Sequence, residues 1–421
     1  MKTAYEKFQS EMVAGGAVEN REPDEVAGGW RGAVGLLGLA ALLGWLAVTN
    51  IWWFIFVVGI LISVVLHELG HFVTARATGM KATQFFIGFG PRLWSMRRGE
   101  TEYGVRALPL GAFVRIVGMS NLDEVEPGDE DRAYRVKSYP RRLLVITAGS
   151  LMHLIIAIGL LFLVFSIAGE NSVRDGARIT GIEPSGPAAV SQLEVDDVVV
   201  GVAGQPVADP SGLGELIRAQ RPGDTIALDV DRNNMRQSVE VFLGANTDES
   251  SPLFGKPYIG VSSSPNFVTV DHSPVSAAVR SVTAIPAIAW ESARGIVRVV
   301  NPLNVLGHLS GQNDDITTRP TTLVGVTGIS DDVGESEGLI GILFLLAVLN
   351  IFVGVFNMFP LLPLDGGHAA IASYERLRER NGQRYYADVA RLMPLTMGVI
   401  AALLFLFMAG LYLDITDPLG G

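Results

Sequence analysis

"GILISVVLHELGHFVTARATG", residues 59–79, is an apolar run with His67, Glu68 and His71 set into its second half. Crossing a bilayer takes about 20 apolar residues in a helix, and an ionisable group inside such a run is costly unless it has a partner or a function. His67 and His71 lie four positions apart, so both imidazoles leave the same helix face. That spacing lets two ring nitrogens grip one zinc ion while Glu68 projects beside it to take a proton from a bound water. Zinc brings the pKa of such a water towards neutrality, which makes hydroxide available for attack on a carbonyl.

The remainder of the chain shares that oiliness. Its 421 residues are 49% hydrophobic, with a net charge of −11 and no cysteine. Without thiolates neither a disulfide framework nor a sulfur-ligated metal is available, so any metal takes nitrogen and oxygen ligands. The acidic balance, with no basic aromatic platform, argues against nucleic acid as a partner. Five apolar runs are long enough to span: about 32–48, 51–75, 143–167, 338–359 and 392–413. The first two form a helical hairpin broken near Thr49–Asn50, with Trp45, Trp52 and Trp53 at the turn, where an interfacial aromatic belt would put them.

Basic residues orient these spans. Arg135, Lys137, Arg141 and Arg142 precede the third, and Arg376, Arg378, Arg380, Arg384 and Arg391 crowd the loop between the fourth and fifth. Short basic loops stay on the cytoplasmic side. The expected organisation follows. A polar cytoplasmic tail covers 1–30, the hairpin 31–76, and a cytoplasmic or re-entrant β region 77–142. The third span covers 143–169, an extracytoplasmic α+β domain 173–263, and an outer-surface linker with an amphipathic helix, kinked near Pro286, 264–337. The fourth span with its LDGG segment covers 338–373, a cytoplasmic loop 374–391 and the fifth span 392–413. The fold class is a polytopic α-helical membrane protein with a membrane-associated β-hairpin region. It lies in the cell membrane, multi-pass, with HELGH near the cytoplasmic side.

A hydrolytic zinc site uses three protein ligands and an open position. Asp365, in "NMFPLLPLDGGH", is the leading third ligand: Pro360 and Pro363 break the helix there, and Gly366–Gly367 allow close backbone approach. His368 is the runner-up. His272 and His308 are read as surface residues remote from the metal.

HELGH in an early span, "NMFPLLPLDGG" near the end and a PDZ-like segment between them resemble the site-2 protease family of intramembrane zinc metalloproteases. RseP-type and actinobacterial members are closest in layout, over roughly residues 51–413. The resemblance implies that His67, His71 and Asp365 bind one zinc ion, that Glu68 is the general base, and that Asn357 with Pro360 and Pro363 holds substrate. It implies cleavage of single-span membrane proteins, of anti-sigma-factor or signal-peptide-remnant type, within the lipid bilayer. Where the family carries a substrate-holding Gly-x-x-x-Asn in the next span, this chain reads Gly149 to His153, and the resemblance assigns both to substrate. His153 either donates to a substrate carbonyl or oxyanion in place of Asn, or approaches the zinc. The span at 32–48 lies outside the family's four-span core.

Residues 80–119 alternate short β-type runs with glycines, as hairpins that dip towards the site would. A free sheet edge there could hold an unwound substrate as an added strand. From Asp175 to Val261 the text resembles a PDZ domain, though the usual Gly-Asp pair is Asp196–Asp197 here; such domains take peptide C-termini by edge addition. Two other readings of the buried charges stand beside the protease: an ion or metal transporter, and a catalytically silent membrane scaffold.

Overall fold

A computed structural model describes residues 30–119, 125–247, 253–380 and 383–418. The polar tail expected over 1–30 lies outside these, save Trp30. The chain forms two compact units, Met1–Phe165 with Pro274–Gly421, and Ser166–Ser273.

In the larger unit, α1 (Trp30–Thr49) and α2 (Ile51–Ala77) form the expected hairpin. Asn50 makes the break: its side-chain oxygen accepts from Trp53 N at 2.9 Å and caps α2, while its amide donates to Asp331 at 2.8 Å. An Asn at this position satisfies a helix-end N–H that apolar neighbours cannot. Strands β1 (Ala82–Arg98) and β2 (Thr101–Ile116) follow. In place of several short hairpins, they are one pair of long strands folded over on itself. Phe85, Phe86 and Ile87 pair with Val114, Phe113 and Ala112, and also with Tyr103, Gly104 and Val105. Phe72 of α2 packs edge-on against Phe85 and Tyr103, seating the hairpin beside the end of that helix.

Helix α3 spans Tyr139–Ala168, starting ahead of the expected 143. Pro140 sits in its first turn, where a missing N–H costs nothing. Beyond the smaller unit, helices Pro274–Thr283 and Ile285–Val299 stand where the sequence reading has a single kinked helix, and Pro302–Leu309 follows them. The break falls at Ala284, just ahead of Pro286. Helix α8 (Leu323–Asn357; the three before it are α5–α7, and α4 belongs to the smaller unit) begins well before 338, so the expected linker 264–337 is too long. The last turns before Gly338 carry Asp331, Asp332, Glu335 and Glu337, which mask the helical pattern, and at Gly338 the backbone breaks with φ of 65°. Its start is held from the far end of the chain: the buried Asp414 carboxylate accepts from Thr322 N at 2.7 Å and Gly325 N at 3.1 Å. Helix α9 (Asp365–Arg378) runs into the segment expected as a loop over 374–391, and α10 covers Met393–Thr416.

Among the described residues, five helices are long and apolar enough to cross a membrane. Their inner faces pack closely: Phe56, Ile342 and Leu346 join α2 to α8, and Ala157, Leu161, Ala347 and Ile351 join α3 to α8. Large apolar residues such as Ile62, Leu151, Ile155 and Phe407 face outward on the same helices. Helices apolar all round suit a lipid surround.

The smaller unit is an antiparallel sheet and a helix. Its strands β3 (Glu170–Ile182), β4 (Val198–Val202), β5 (Thr225–Arg232), β6 (Met235–Phe242) and β7 (Val261–Val270) lie in the order β7-β3-β4-β5-β6, and α4 (Pro210–Arg218) packs Leu213 and Ile217 on the core. The unit is longer than the expected 173–263 because β3 and β7 pair from Glu170–Val270 to Ile182–Val261. Two histidines differ from expectation: His272 pairs with Glu170 at 3.4 Å, and half-buried His308 meets Thr318 at 3.0 Å. Neither is a plain surface residue.

The departure at Asp196–Asp197 has a local explanation. Asp196 holds a φ of 74°, a left-handed conformation that glycine adopts freely. Buried Asp197 accepts from Arg232 at 2.6 and 2.7 Å and from Glu194 N at 2.9 Å. Burial alone would raise its pKa, but the bonds from Arg232 and the Glu194 amide outweigh that and hold the carboxyl below the ordinary range. Stability from such a group is present above the unfolded-state pKa and is lost as pH falls through the folded value. Urea-pulse proteolysis of the full chain should therefore find the smaller unit weakening below about pH 4, with Asp197→Asn weaker at neutral pH and flatter in acid. The same assay should find Asp196→Gly more stable by about 1 kcal/mol; a loss would contradict the strain.

Candidate metal centre

One turn of α2 presents His67 and His71 inward, both buried. Their ring nitrogens, Nε2 to Nε2, are 3.2 Å apart. Asp365, the first residue of α9, brings Oδ2 to 3.4 Å from His67 Nε2 and 3.3 Å from His71 Nε2. Among the described residues these three form the group able to hold a metal ion. Tetrahedral donors at the usual zinc distance stand roughly 3.3–3.4 Å from one another, so the triangle fits zinc. Asp365 Oδ2 is buried without a hydrogen-bond partner, a costly state for a carboxylate that an ion would relieve.

Each member is held by a neighbour. His71 Nδ1 donates to the Val145 carbonyl of α3 at 2.7 Å, which leaves its Nε2 lone pair facing the other donors. Gly149, one turn further along α3, lies directly under the imidazoles: a Cβ there would sit 2.4 Å from His71 Nε2 and from His67 Cε1. Assigned to substrate from the resemblance, Gly149 lies in the wall of the metal site.

Asp365 arrives by a folded path. Helix α8 ends at Asn357, and the chain through Pro360 and Pro363 turns back on itself before α9. A Cβ on Gly366 would meet the Met358 backbone at 2.3 Å, and one on Gly367 would meet Leu362 N at 2.5 Å, so only glycine allows this crossing. Further along α9, buried Glu375 accepts from Arg142 of α3 at 2.5 Å and from Ala387 N at 2.8 Å, and Ser373 bonds Tyr139 at 3.1 Å. Ala369 and Ala372 pack with Ala75 and Val145 between α2 and α3. The Arg142–Glu375 pair thus pins the helix that carries Asp365; breaking one side of a buried pair leaves an uncompensated charge.

Glu68 lies beside the donors, with Oε1 at 4.0 Å from His67 Nε2. Its other oxygen accepts from Val114 N of β2 at 3.1 Å. His153 is buried with its ring centroid 4.9 Å from that of His67, yet it is not one of the three donors. Asn350 donates to Ser63 Oγ at 3.1 Å and to the Leu346 carbonyl at 2.8 Å, so its Oδ1 faces His153 Nδ1 at 2.8 Å as an acceptor. That network makes Nδ1 the protonated nitrogen of a neutral His153 and leaves Nε2 as an acceptor. His368 lines a cavity with Arg142 and Glu375, outside the donor triangle. Asn357 is half-buried, and Pro360 and Pro363 are exposed on their loop.

The family model for Peptidase family M50 matches residues 55–403. The chain belongs to this family, the site-2 proteases. It is similar to zinc metalloprotease Rip1 of Mycolicibacterium smegmatis, 31% identical over 397 residues, covering 87% of this chain and 97% of that relative. Rip1 of Mycobacterium tuberculosis is 30% identical over the same shares, and a putative zinc metalloprotease of Nostoc sp. is 32% identical over 75% of this chain and 84% of its own. Among solved structures it is similar to a PDZ domain of an SdrC-like protein from Listeria innocua, 22% identical, covering 21% of this chain and 93% of that one, TM-score 0.19. The M50 protease is a site-2 type zinc metalloprotease, and zinc is its cofactor. Helix α1 precedes the matched residues and packs its Gly35 against Leu93 of β1.

Four partners of this M50 site were missed in the sequence: the Val145 carbonyl, the Val114 amide, Asn350 and Glu375. An Asn inside an apolar run is the one mark that could have singled out Asn350. Because Gly149 leaves no room for a methyl, Gly149→Ala should reduce zinc per chain, measured by mass spectrometry of the metal, by about tenfold or more. Parental zinc content in that variant would contradict the packing described here.

Proposed function

We propose that this site-2 protease hydrolyses peptide bonds in the transmembrane segments of single-span membrane proteins, with Glu68 as general base. The observation that carries this reading is the placement of His67, Glu68 and His71 on a helix long and apolar enough to cross a bilayer, with Asp365 brought to them by α9. When bound, zinc polarises a carbonyl and lowers the pKa of water. His67, His71 and Asp365 would hold it there. Glu68 takes a proton from the attacking water and passes it to the leaving amine. The Val114 N–H holds one of its oxygens and leaves the other on the His67 side. His153, with Nδ1 committed to Asn350, accepts at Nε2, so a neutral His153 orients water or a substrate N–H. It does not donate to a carbonyl as the family's Asn does.

A helical substrate must unwind before a peptide bond can reach such a site. The edge of β2 beside Glu68 offers main-chain partners for an added strand. Asn357, at the end of α8, and Pro360 and Pro363, in the loop that delivers Asp365, are assigned to holding that strand. Basic residues before α3 and between α9 and α10 support a site near the cytoplasmic face and an extracytoplasmic smaller unit. That unit has a groove of about 590 Å³ lined by Leu213, Ile217, Arg218, Lys256 and Glu183, where two cations against one carboxylate suit the carboxylate of a freshly cut peptide. The substrates in view are anti-sigma-factor or signal-peptide-remnant proteins.

Glu68→Gln separates the protease from a transporter or a silent scaffold. Turnover of a single-span substrate in proteoliposomes should fall by about a thousandfold while zinc stays at the parental level. Undiminished cleavage would remove Glu68 from the mechanism, and metal transport without cleavage would overturn the reading.

A further inference from the structure

We propose that the cavity between the foot of α3 and the chain leading into α10 binds the phosphate headgroup of an anionic lipid. The cavity measures about 530 Å³, and its lining carries Arg135, Lys137, Arg142, Arg376 and Arg384 against a single carboxylate, Glu379. Most of these charges are matched. Arg135 pairs with Glu130 at 2.6 Å, Arg142 with Glu375 at 2.5 Å, and Arg376 with Glu379 at 2.5 Å. Two are left. Lys137 Nζ donates to the Asp131 carbonyl at 2.8 Å, and Arg384 donates to the Val136 carbonyl. Neither has a carboxylate partner among the described residues, so the cavity presents two uncompensated cations to whatever enters.

Its position selects the ligand. Tyr139 opens the long apolar helix α3, and Tyr385 and Tyr386 stand just before the apolar run Val389–Thr416. Given the bilayer-spanning reading, on which this inference rests, the cavity lies at headgroup depth, where tyrosines concentrate. Basic pockets between membrane helices on the cytoplasmic side suit anionic headgroups, and guanidinium and ammonium groups together give phosphate strong charged hydrogen bonds. Tyr385 and Tyr386 also line a second cavity, of about 570 Å³, whose other walls include Leu361, Ile371, Leu392 and Leu395. A charged chamber and a mainly apolar one, whose Asp388 and Arg391 pair with each other, share two tyrosines and match a molecule with a phosphate head and an acyl tail. Free phosphate would use only the first.

The test is native mass spectrometry of the full chain released from nanodiscs of phosphatidylcholine and phosphatidylglycerol in equal parts. The parent should retain phosphatidylglycerol in preference to phosphatidylcholine. The double variant Lys137→Gln/Arg384→Gln should lower that retention by about tenfold or more with zinc content unchanged. Arg141→Gln, which removes an exposed cation outside the lining, should leave retention at the parental level. Equal retention of the two lipids by the parent would overturn the proposal whatever the variants do. So would undiminished retention in the double variant, an equal loss in Arg141→Gln, or displacement of phosphatidylglycerol by excess inorganic phosphate. None of these readouts depends on turnover, so a failure of the proteolytic mechanism would be seen separately.

Discussion

Three donor atoms held 3.2–3.4 Å apart, two from α2 and one from α9, are the constraint around which the larger unit is built. Without an ion, two imidazole lone pairs and a carboxylate oxygen at that spacing repel one another in a place where little water reaches them. With a zinc ion the same spacing is the edge of a coordination tetrahedron. The chain separates the two contributions by almost three hundred positions, so the helices between them have to deliver both with sub-ångström agreement.

The supports show how that agreement is reached. Val145 and Gly149 make α3 the floor of the site: one carbonyl sets the His71 tautomer, and the missing side chain lets the helix approach. Glu375 and Arg142 hold α9 against the foot of α3, at the end of the helix remote from Asp365. Asp414 ties the start of α8 to the end of α10, so the helix that feeds the Asp365 loop is anchored at its far side too. These are polar contacts within or beside apolar helices, where each unmade bond is costly. The anchoring is tight for that reason.

Much of this could be read in the residues. HELGH within an apolar run carried its own spacing argument, and Asp365 stood out because acidic residues in membrane-type segments are scarce. The PDZ-like text of 175–261 agrees with the strands and helix of the smaller unit. Other features depend on partners far away in sequence. The helical turns before Gly338 are hidden by four acidic residues and exist because Asp414 caps their start. Residues 374–378 look like a charged loop until Glu375 meets Arg142. The Val114 amide has no side chain to mark it, and the tautomer of His153 is decided by Asn350, on another helix. Asp196 differs from its expected glycine by one residue, and only its left-handed backbone shows that the turn itself was kept.

The account turns on α2 and α9 sharing one ion. Zinc-edge X-ray absorption on the purified full chain measures that coordination directly. The expected spectrum fits two imidazole nitrogens and a carboxylate oxygen at about 2.0–2.1 Å, with one imidazole lost in His71→Ala and the carboxylate lost in Asp365→Asn. A parent spectrum with three imidazoles, or one unchanged by Asp365→Asn, would contradict it.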